Sequence, residues 1–547
     1  VFFMSLQFIT GNSGNGKTKY LFNRIVKEAK ANPRDNYLVI VPEQFTMQTQ
    51  RQLVDLSENK AIMNIDVLSF KRLAYRVFDE LGITNLTVLE ETGKNLVLRK
   101  LAAQEADKLG VIGRNLNRIG YISEVKSLLS ELVQYNISPE ELGRYIASGR
   151  LSDTLSDKLK DVLVLYEAFE KFMQDKYITA EEMLNVLSNV AEESAILRNS
   201  VIAFDEFTGF TPIQNQLIKK LFVISKKIYV TLTIDCREDI FKSRGMQELF
   251  DMPKRTVKSL TEMAAFYGIE VEEPIILDKN YRLAENEELS FMEQQLFRKR
   301  RCSFKKVPKH IHIDCLRDPK QELTKIARRI NELVRNENLR YRDIAIVTGD
   351  VNIYAGYVRE IFDKYNIPYF IDATQEILFH PFIEFIRSIP DIAAQNFSAD
   401  AVFRFLRCGF SELLDSEIDV LENYVLACGV RGKSAWDKKW VRLPKHKAGY
   451  DLELLNQSRE YIMELLKPVY QVFSDKKSTV KDYVLAIYKL IVLLDIPDKL
   501  AKKEQALLDA GDQTASKEYG QIYKIVMQLF EKYVAVLGDE CMDAEEF

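Results

Sequence analysis

Apolar residues in the first hundred positions alternate between short continuous runs and helical spacing. Leu6-Gln7-Phe8-Ile9 reads as a buried strand, and behind it Leu21, Phe22, Ile25, Val26 and Ala29 recur on one helix face. Tyr37-Leu38-Val39-Ile40-Val41 predicts a second strand, stopped by Pro42. Asn64-Ile65-Asp66-Val67-Leu68 predicts a third, followed by a helix through Leu73, Ala74, Val77 and Phe78. From about residue 90 to 195 the strand pattern disappears. Ile122, Val125, Leu128, Leu129 and Leu132 mark one amphipathic helix there, and Ser138-Pro139-Glu140-Glu141 opens another as a capping box with Pro at its first position. Strands return at Val201-Ile202-Ala203-Phe204 and along Lys227–Thr233.

This order predicts an α/β fold whose first core domain is assembled from 1–90 and 195–297, split by a helical insertion over 91–194. A second α/β domain is expected to start over 298–390, with strands at Ile311-His312-Ile313 and Ile344-Ala345-Ile346-Val347 around a helix from Gln321 to Val334. The remainder, 391–547, reads as mostly helical. The basic stretch Arg298-Lys299-Arg300-Arg301, continued by Lys305, Lys306 and Lys309, suits a solvated linker better than a phosphate contact.

Composition adds exclusions. A chain of 547 residues has room for three or four domains, and 47% hydrophobic with 29% charged residues is ordinary for a globular protein. A net charge of −4 gives no global nucleic-acid signature, so any DNA contact must come from local basic surface. The six cysteines lie far apart and no C-x-x-C pair occurs, which fits a reducing cytoplasm and predicts no zinc or iron–sulfur site in this stretch. Only four histidines are present, and no run of 18 apolar residues predicts a membrane span. Val1-Phe2-Phe3-Met4 is too short for a signal peptide, with Met4 a candidate start. The ending Asp539 to Phe547 has no capped helix, so the chain is expected to be a piece of a longer protein.

Gly11-Asn12-Ser13-Gly14-Asn15-Gly16-Lys17-Thr18 completes the pattern G-x-x-x-x-G-K-[ST] between the first strand and the first helix. There the glycines let backbone N–H groups close around phosphates at a helix N-terminus. Lys17 would reach the β/γ-phosphates of a nucleoside triphosphate, and the Thr18 hydroxyl would bind Mg²⁺. Such a site needs acidic groups at the end of a neighbouring strand. Asp205 would stand on the Mg²⁺ side and Glu206 would orient the attacking water. Lys17, Asp205 and Glu206 are therefore the candidates for ATP hydrolysis. Thr211 and Gln214 form another capping box with Pro212, holding Phe210 in the loop before a helix. An exposed Phe210 could stack on a base, and a buried loop aromatic suits the position equally. The loops after the second and third strands should emerge at the same edge of a parallel sheet as Gly11–Thr18. Gln44 and Thr46 offer hydrogen bonds there, Arg72 a charged fork, and Tyr75 a stacking face.

Together these features resemble the first core domain of superfamily 1 helicases of the UvrD/RecB kind. The resemblance implies a P-loop NTPase fold with RecA-like parallel-sheet core domains and helical insertions. Leu277-Asp278-Lys279-Asn280-Tyr281-Arg282 looks like their N-Y-R motif, which implies Arg282 near the γ-phosphate. Tyr341-Arg342-Asp343-Ile344-Ala345-Ile346-Val347 and Asn366-Ile367-Pro368-Tyr369-Phe370 are similar to the opening of their second core domain. Val41-Pro42-Glu43-Gln44, Ser69 to Ala74, Phe210-Thr211-Pro212, Pro368 to Asp372 and His380 to Ser388 resemble, more narrowly, the AddB family. Members of that family are the B subunits of bacterial heterodimeric helicase–nucleases that process double-strand breaks with an AddA partner.

The AddB resemblance implies a helicase-like scaffold that has lost motor activity, binds ATP and Mg²⁺, and reads the Chi sequence in single-stranded DNA. It places Chi contacts at Gln44, Thr46, Arg72, Tyr75 and Phe210, with Tyr75 where Trp is familiar. It also implies a nuclease domain with its own Mg²⁺ and a four-cysteine iron–sulfur cluster, both beyond residue 547. Asp205-Glu206 looks intact where many relatives have a degraded acidic motif, so an active ATP-driven translocase using Lys17, Asp205, Glu206 and Arg282 is the competing reading.

Overall fold

The structure, a computed structural model, describes residues 4–83, 87–111, 113, 120–148, 151–173, 177–298, 302–372, 377–444 and 450–547. The expected opening Val1-Phe2-Phe3 and the basic residues Lys299, Arg300 and Arg301 lie outside the described residues. The chain divides into two compact units, Val1–Ile311 and His312–Phe547.

The first unit is built on one parallel sheet. β1 (Ser5–Gly11) leads to α1 (Lys17–Ala31), β2 (Tyr37–Ile40) to α2 (Thr46–Leu56), and β3 (Ile65–Leu68) to α3 (Phe70–Leu81). β4 (Thr87–Leu89), α4 (Glu91–Gln104), α5 (Tyr121–Gln134), α6 (Pro139–Ala147), α7 (Asp153–Met173), β5 (Tyr177–Thr179) and α8 (Glu182–Val190) follow. The chain then returns with β6 (Val201–Phe204), α9 (Pro212–Ile224), β7 (Lys227–Thr233), α10 (Asp251–Phe266), β8 (Glu270–Val271), β9 (Ile275–Leu277) and α11 (Glu287–Gln295). The strand order is β3-β2-β6-β7-β1-β8, with β9 continuing the β8 edge against β1. Pro274, which has no N–H to give to a ladder, stands in the gap between β8 and β9.

Both faces of this sheet are covered, which is why its strands read as continuous apolar runs. Leu6, Phe8, Leu38 and Ile40 pack under α3, α8, α9 and α10, while Ile9, Tyr37, Val39 and Val41 pack under α1 and α2. Phe8 and Ile9 are fully buried, one in each core, so each contributes about 1.5–3 kcal/mol of transfer free energy. The expected capping boxes at Ser138/Glu141 and Thr211/Gln214 both form.

Two expectations about strands are corrected. The stretch from 90 to 195 is not free of strands, because β5 pairs in parallel with β4 just before it. Three-residue strands are too short to show a two-residue period. Nearby, the Lys94 ammonium is buried against the carboxylate of Glu181 and bonded to Glu91, pinning α4 to the start of α8. Further along the chain the expected strands at Ile311–Ile313 and Ile344–Val347 do not form. The backbone at Ile344 is extended, yet Ile313 and Val347 are each 94% exposed. An extended segment becomes a strand only when a neighbour takes its N–H and C=O groups, and no ladder partner is present among the described residues. The helices do form: α12 (Pro319–Asn336) packs on α13 (Val351–Lys364) through Leu323, Ala327, Ile330, Ile361 and Phe362. α14 (Pro381–Ala394) and further helices out to Gln513–Leu537 make up the rest.

The linker expectation also changes. Arg298 donates to Asp235 and lies over the Phe250 ring, while the Glu288 carboxylate accepts the backbone N–H groups of Lys309 and His310. The latter contacts stitch the stretch to α11, so it is not simply solvated.

His380 caps α14 by accepting the Phe382 N–H on Nδ1 at 3.1 Å, with its ring against Tyr519. Its Nε2 is buried with no partner among the described residues, and burial holds its pKa below the ordinary 6.5. The unfolded chain therefore takes up this proton first as pH falls. The stabilisation is complete above 6.5 and is lost as pH drops through the lower, folded value. Urea midpoints measured at neutral pH and at pH ~5.5 should fall more for the native protein than for His380→Asn, which keeps a capping oxygen and does not titrate. Equal falls would refute the assignment.

Candidate functional site

Parallel pairing in register places the ends of several strands at one edge. Gly11 stands opposite Thr233 and Leu277, Phe204 opposite Ile40 and Val230, and Ile40 opposite Leu68. The loops leaving β1, β2, β3, β6 and β7 thus share the carboxyl edge, where ligands of open parallel sheets bind.

The loop Gly11–Thr18 lines a cleft of about 730 Å³ at this edge, together with Asp205, Glu206, Thr231, Tyr281 and Arg282. That volume falls within the range of small-molecule sites. Gly14 and Gly16 take left-handed φ of 88° and 81°, conformations that a Cβ disfavours. Gly16 is the N-cap of α1, which has no side-chain cap and no acidic residue in its first turn. Its free N–H groups and dipole are left to whatever anion enters. By contrast α3, α6 and α9 are capped by Ser69, Ser138 and Thr211.

The asparagines of the loop serve its shape. Asn12 is buried, donating to Glu293 at 2.8 Å and accepting the Cys236 N–H at 2.9 Å. Asn15 donates to the Leu277 carbonyl at 2.6 Å. Both side chains are thus committed to the loop, and the Asn15 N–H is itself bonded to the Asn12 carbonyl at 3.2 Å. Lys17 folds its ammonium back onto the carbonyls of Gly11 and Asn12 at 3.1 and 3.0 Å. Burial lowers its pKa, opposed by the Asp205 and Glu206 carboxylates. An incoming phosphate would exchange these neutral acceptors for charged ones.

The Thr18 hydroxyl lies 3.3 Å from both Asp205 Oδ1 and Glu206 Oε1. Asp205 is buried, bonded by the Thr231 hydroxyl, and its pKa is raised by that burial. Its Oδ2 is buried without a partner among the described residues. Glu206 is exposed and holds φ at +64°, a strained conformation for a non-glycine residue. These hard oxygen donors fit Mg²⁺. No group of three or more His, Cys, Asp or Glu side chains placed to hold a metal ion occurs among the described residues, so a cation here would share its shell with phosphate and water.

Leu277–Arg282 closes over the loop. The N–H groups of Tyr281 and Arg282 donate to the Gly14 carbonyl, Asn280 donates to the Ser13 carbonyl, and Arg282 reaches the Ser13 hydroxyl. Tyr281 and Thr231 are among the cleft residues that the sequence did not single out as site residues. Tyr281, 66% exposed at the mouth, offers a stacking face whose only signal in the sequence is its place beside Arg282. Thr231 has a weaker signal still, an inward-facing hydroxyl in a strand.

The expected DNA contacts divide. Gln44, Arg72 and Tyr75 are exposed at the carboxyl edge, Tyr75 one turn beyond Arg72 on α3. Thr46 is buried and its hydroxyl donates to the Glu43 carbonyl, so it is not presented as a contact. Phe210 is half-buried, packed with Phe70, Phe204 and Phe207, its centroid 5.2 Å from each of the last two. The packed alternative describes it better than a free stacking ring.

A Cβ at Gly14 would meet Arg282 Cβ and Asn280 Oδ1 at 2.8 Å. Gly14→Ala should displace Leu277–Arg282 and strain the loop by about 1–2 kcal/mol. ATP–Mg²⁺ titration calorimetry should show weakened binding, while urea unfolding shows a retained, cooperative fold. Unchanged affinity would contradict this packing.

A model of the family described as "ADDB, N-terminal" matches residues 8–293. Over its whole length the chain is 38% identical to the B subunit of the ATP-dependent helicase/deoxyribonuclease of Lachnoclostridium phytofermentans, of which it covers 48%. It is 32% identical to the B subunits of the same name from Clostridium acetobutylicum and Clostridioides difficile, again covering 48% of each. The chain thus spans about half the length of the curated relatives it matches. With more than half of its residues matched by the family model, this chain belongs to the AddB family, through that family's N-terminal region.

Proposed function

We propose that this chain is the nucleotide-binding, DNA-reading part of the B subunit of a heterodimeric ATP-dependent helicase/deoxyribonuclease acting in double-strand-break repair. The fold we assign to its first unit is that of a P-loop NTPase, a RecA-like core of superfamily 1. The observation that carries the nucleotide part is the convergence of Lys17, Thr18, Asp205, Glu206 and Arg282 on the uncapped N-terminus of α1. Backbone N–H groups of Ser13, Gly14, Gly16, Lys17 and Thr18 would wrap the phosphates. Lys17 and Arg282 would neutralise their charge from two sides, and the Tyr281 ring would take the base. Thr18 and Asp205 would hold Mg²⁺, which would supply charge neutralisation to the phosphates. Glu206, exposed beside them, would orient the attacking water.

The DNA part rests on Gln44, Arg72 and Tyr75, which offer an amide, a guanidinium and a ring along one edge. In this reading the edge recognises Chi in single-stranded DNA while an AddA-like partner does the pulling. The nuclease activity carried by the relatives' name is not assigned to these residues. A second reading, an active translocase, is favoured by one observation: Asp205 and Glu206 both stand beside the Thr18 hydroxyl.

The purified protein without its partner should bind ATP yet scarcely unwind duplex DNA, as measured by nucleotide titration and a strand-displacement assay. Strong DNA-stimulated ATPase activity that Lys17→Ala abolishes would establish the motor reading instead. In the heterodimer, Arg72→Ala should weaken the response to the recognition sequence while end binding and unwinding stay near normal. Collapse of unwinding would assign Arg72 to general DNA tracking.

A further inference from the structure

The loops leaving β2 and β3 are joined by a group to which no role has yet been given. Ile40 pairs with Leu68, and the Val41 N–H donates to the Leu68 carbonyl, so Glu43 and Ser69 emerge side by side. One Glu43 carboxylate oxygen accepts the Ser69 hydroxyl, and the other accepts Arg72 Nε–H at 3.1 Å. Ser69 in turn accepts the Arg72 backbone N–H at 3.2 Å as the N-cap of α3. Its hydroxyl is thus used as both donor and acceptor, and Arg72 is held at backbone and side chain by one small network. The hydrogen bonds from Ser69 and then Arg72 hold the Glu43 carboxyl below the usual carboxylate range, so it is ionised at neutral pH.

This grip leaves part of Arg72 available. Its side chain is 48% exposed, and its Nη1 and Nη2 groups carry no hydrogen bond among the described residues. Two physical consequences follow. The Nε–H bond to Glu43 holds one edge of the guanidinium and leaves its two Nη groups unbonded among the described residues. The neighbouring carboxylate also offsets part of the charge that would attract a phosphate. With less net charge an arginine gains less from a phosphate oxygen, whereas its pair of donors still suits a neutral group with two parallel acceptors. Among base edges, guanine O6 and N7 supply that pair.

We propose that Glu43 is a positioning residue that turns Arg72 from a backbone-phosphate contact into a reader of a guanine edge in single-stranded nucleic acid. The proposal rests on the reading of this sheet edge as a DNA-recognition surface. Gln44, adjacent to Glu43, and Tyr75, one turn beyond Arg72, would flank the base so held.

The test measures binding of the full chain to two fluorescent single-stranded oligonucleotides across a salt series. They are identical except that 7-deazaguanine, which lacks the N7 acceptor, replaces guanine in one. The native protein should prefer guanine by about fivefold or more. Glu43→Gln should abolish that preference and steepen the salt dependence of log affinity by about 0.7, the value of one added phosphate contact on a single strand. If Glu43→Gln lowers affinity for both oligonucleotides alike with an unchanged salt slope, Glu43 merely supports the loop and the proposal fails. If Arg72→Ala abolishes the preference while Glu43→Gln retains it, the recognition surface stands and the role of Glu43 falls. If Arg72→Ala changes neither affinity nor preference, the recognition surface and the proposal fall together.

Discussion

The in-register parallel pairing of β1 with β7 and β9 is the constraint on which the rest of the first unit depends. It brings Gly11, Thr233 and Leu277 level, so a loop that begins at Gly11 has β7 on one side and the Leu277–Arg282 segment on the other. A slip of one residue would turn Phe8 and Ile9 into the wrong cores and carry Asn15 away from the Leu277 carbonyl. The same edge receives Asp205 from β6 and the Glu43–Arg72 pair from the loops beyond β2 and β3. Cleft and neighbouring loops are therefore consequences of one set of backbone hydrogen bonds.

Within that frame, charge is placed by contrast. The start of α1 is kept free of caps and acids, while α3 is capped by Ser69 and tied through it to Glu43. One helix terminus is left for an external anion, and the other is satisfied from within so that its first turn becomes a rigid mount for Arg72. The second unit relies on helix packing, and where it buries a polar group, as at His380, the cap makes one ring nitrogen obligatorily neutral.

Much of this was legible in the sequence because it is local. The strand–loop–helix around Gly11–Thr18 needs only an apolar run, glycines where φ is positive, and a helical period behind them. The capping boxes at Ser138 and Thr211 are four-residue signals and both formed. What escaped was decided by partners distant along the chain or by the loop's own fold. Thr46 reads as a polar loop residue but is buried against its own loop. Phe210 joins an aromatic cluster built from α3, β6 and the following loop. Ile311–Ile313 and Ile344–Val347 have strand composition without a ladder partner among the described residues. Glu43 was visible as a letter, but nothing in the sequence shows that its carboxylate spans to Ser69 and Arg72.

The uncapped start of α1 has a thermodynamic consequence. A helix terminus that offers its N–H groups to an outside anion is incompletely satisfied until one arrives, so the ligand belongs to the folding equilibrium of the first unit. If the anion is a nucleotide held at a hundred times its dissociation constant, the folded state gains about 2.7 kcal/mol. That is a sizeable part of what a domain normally has. Nucleotide supply would then bear on how readily this unit unfolds as well as on what it does.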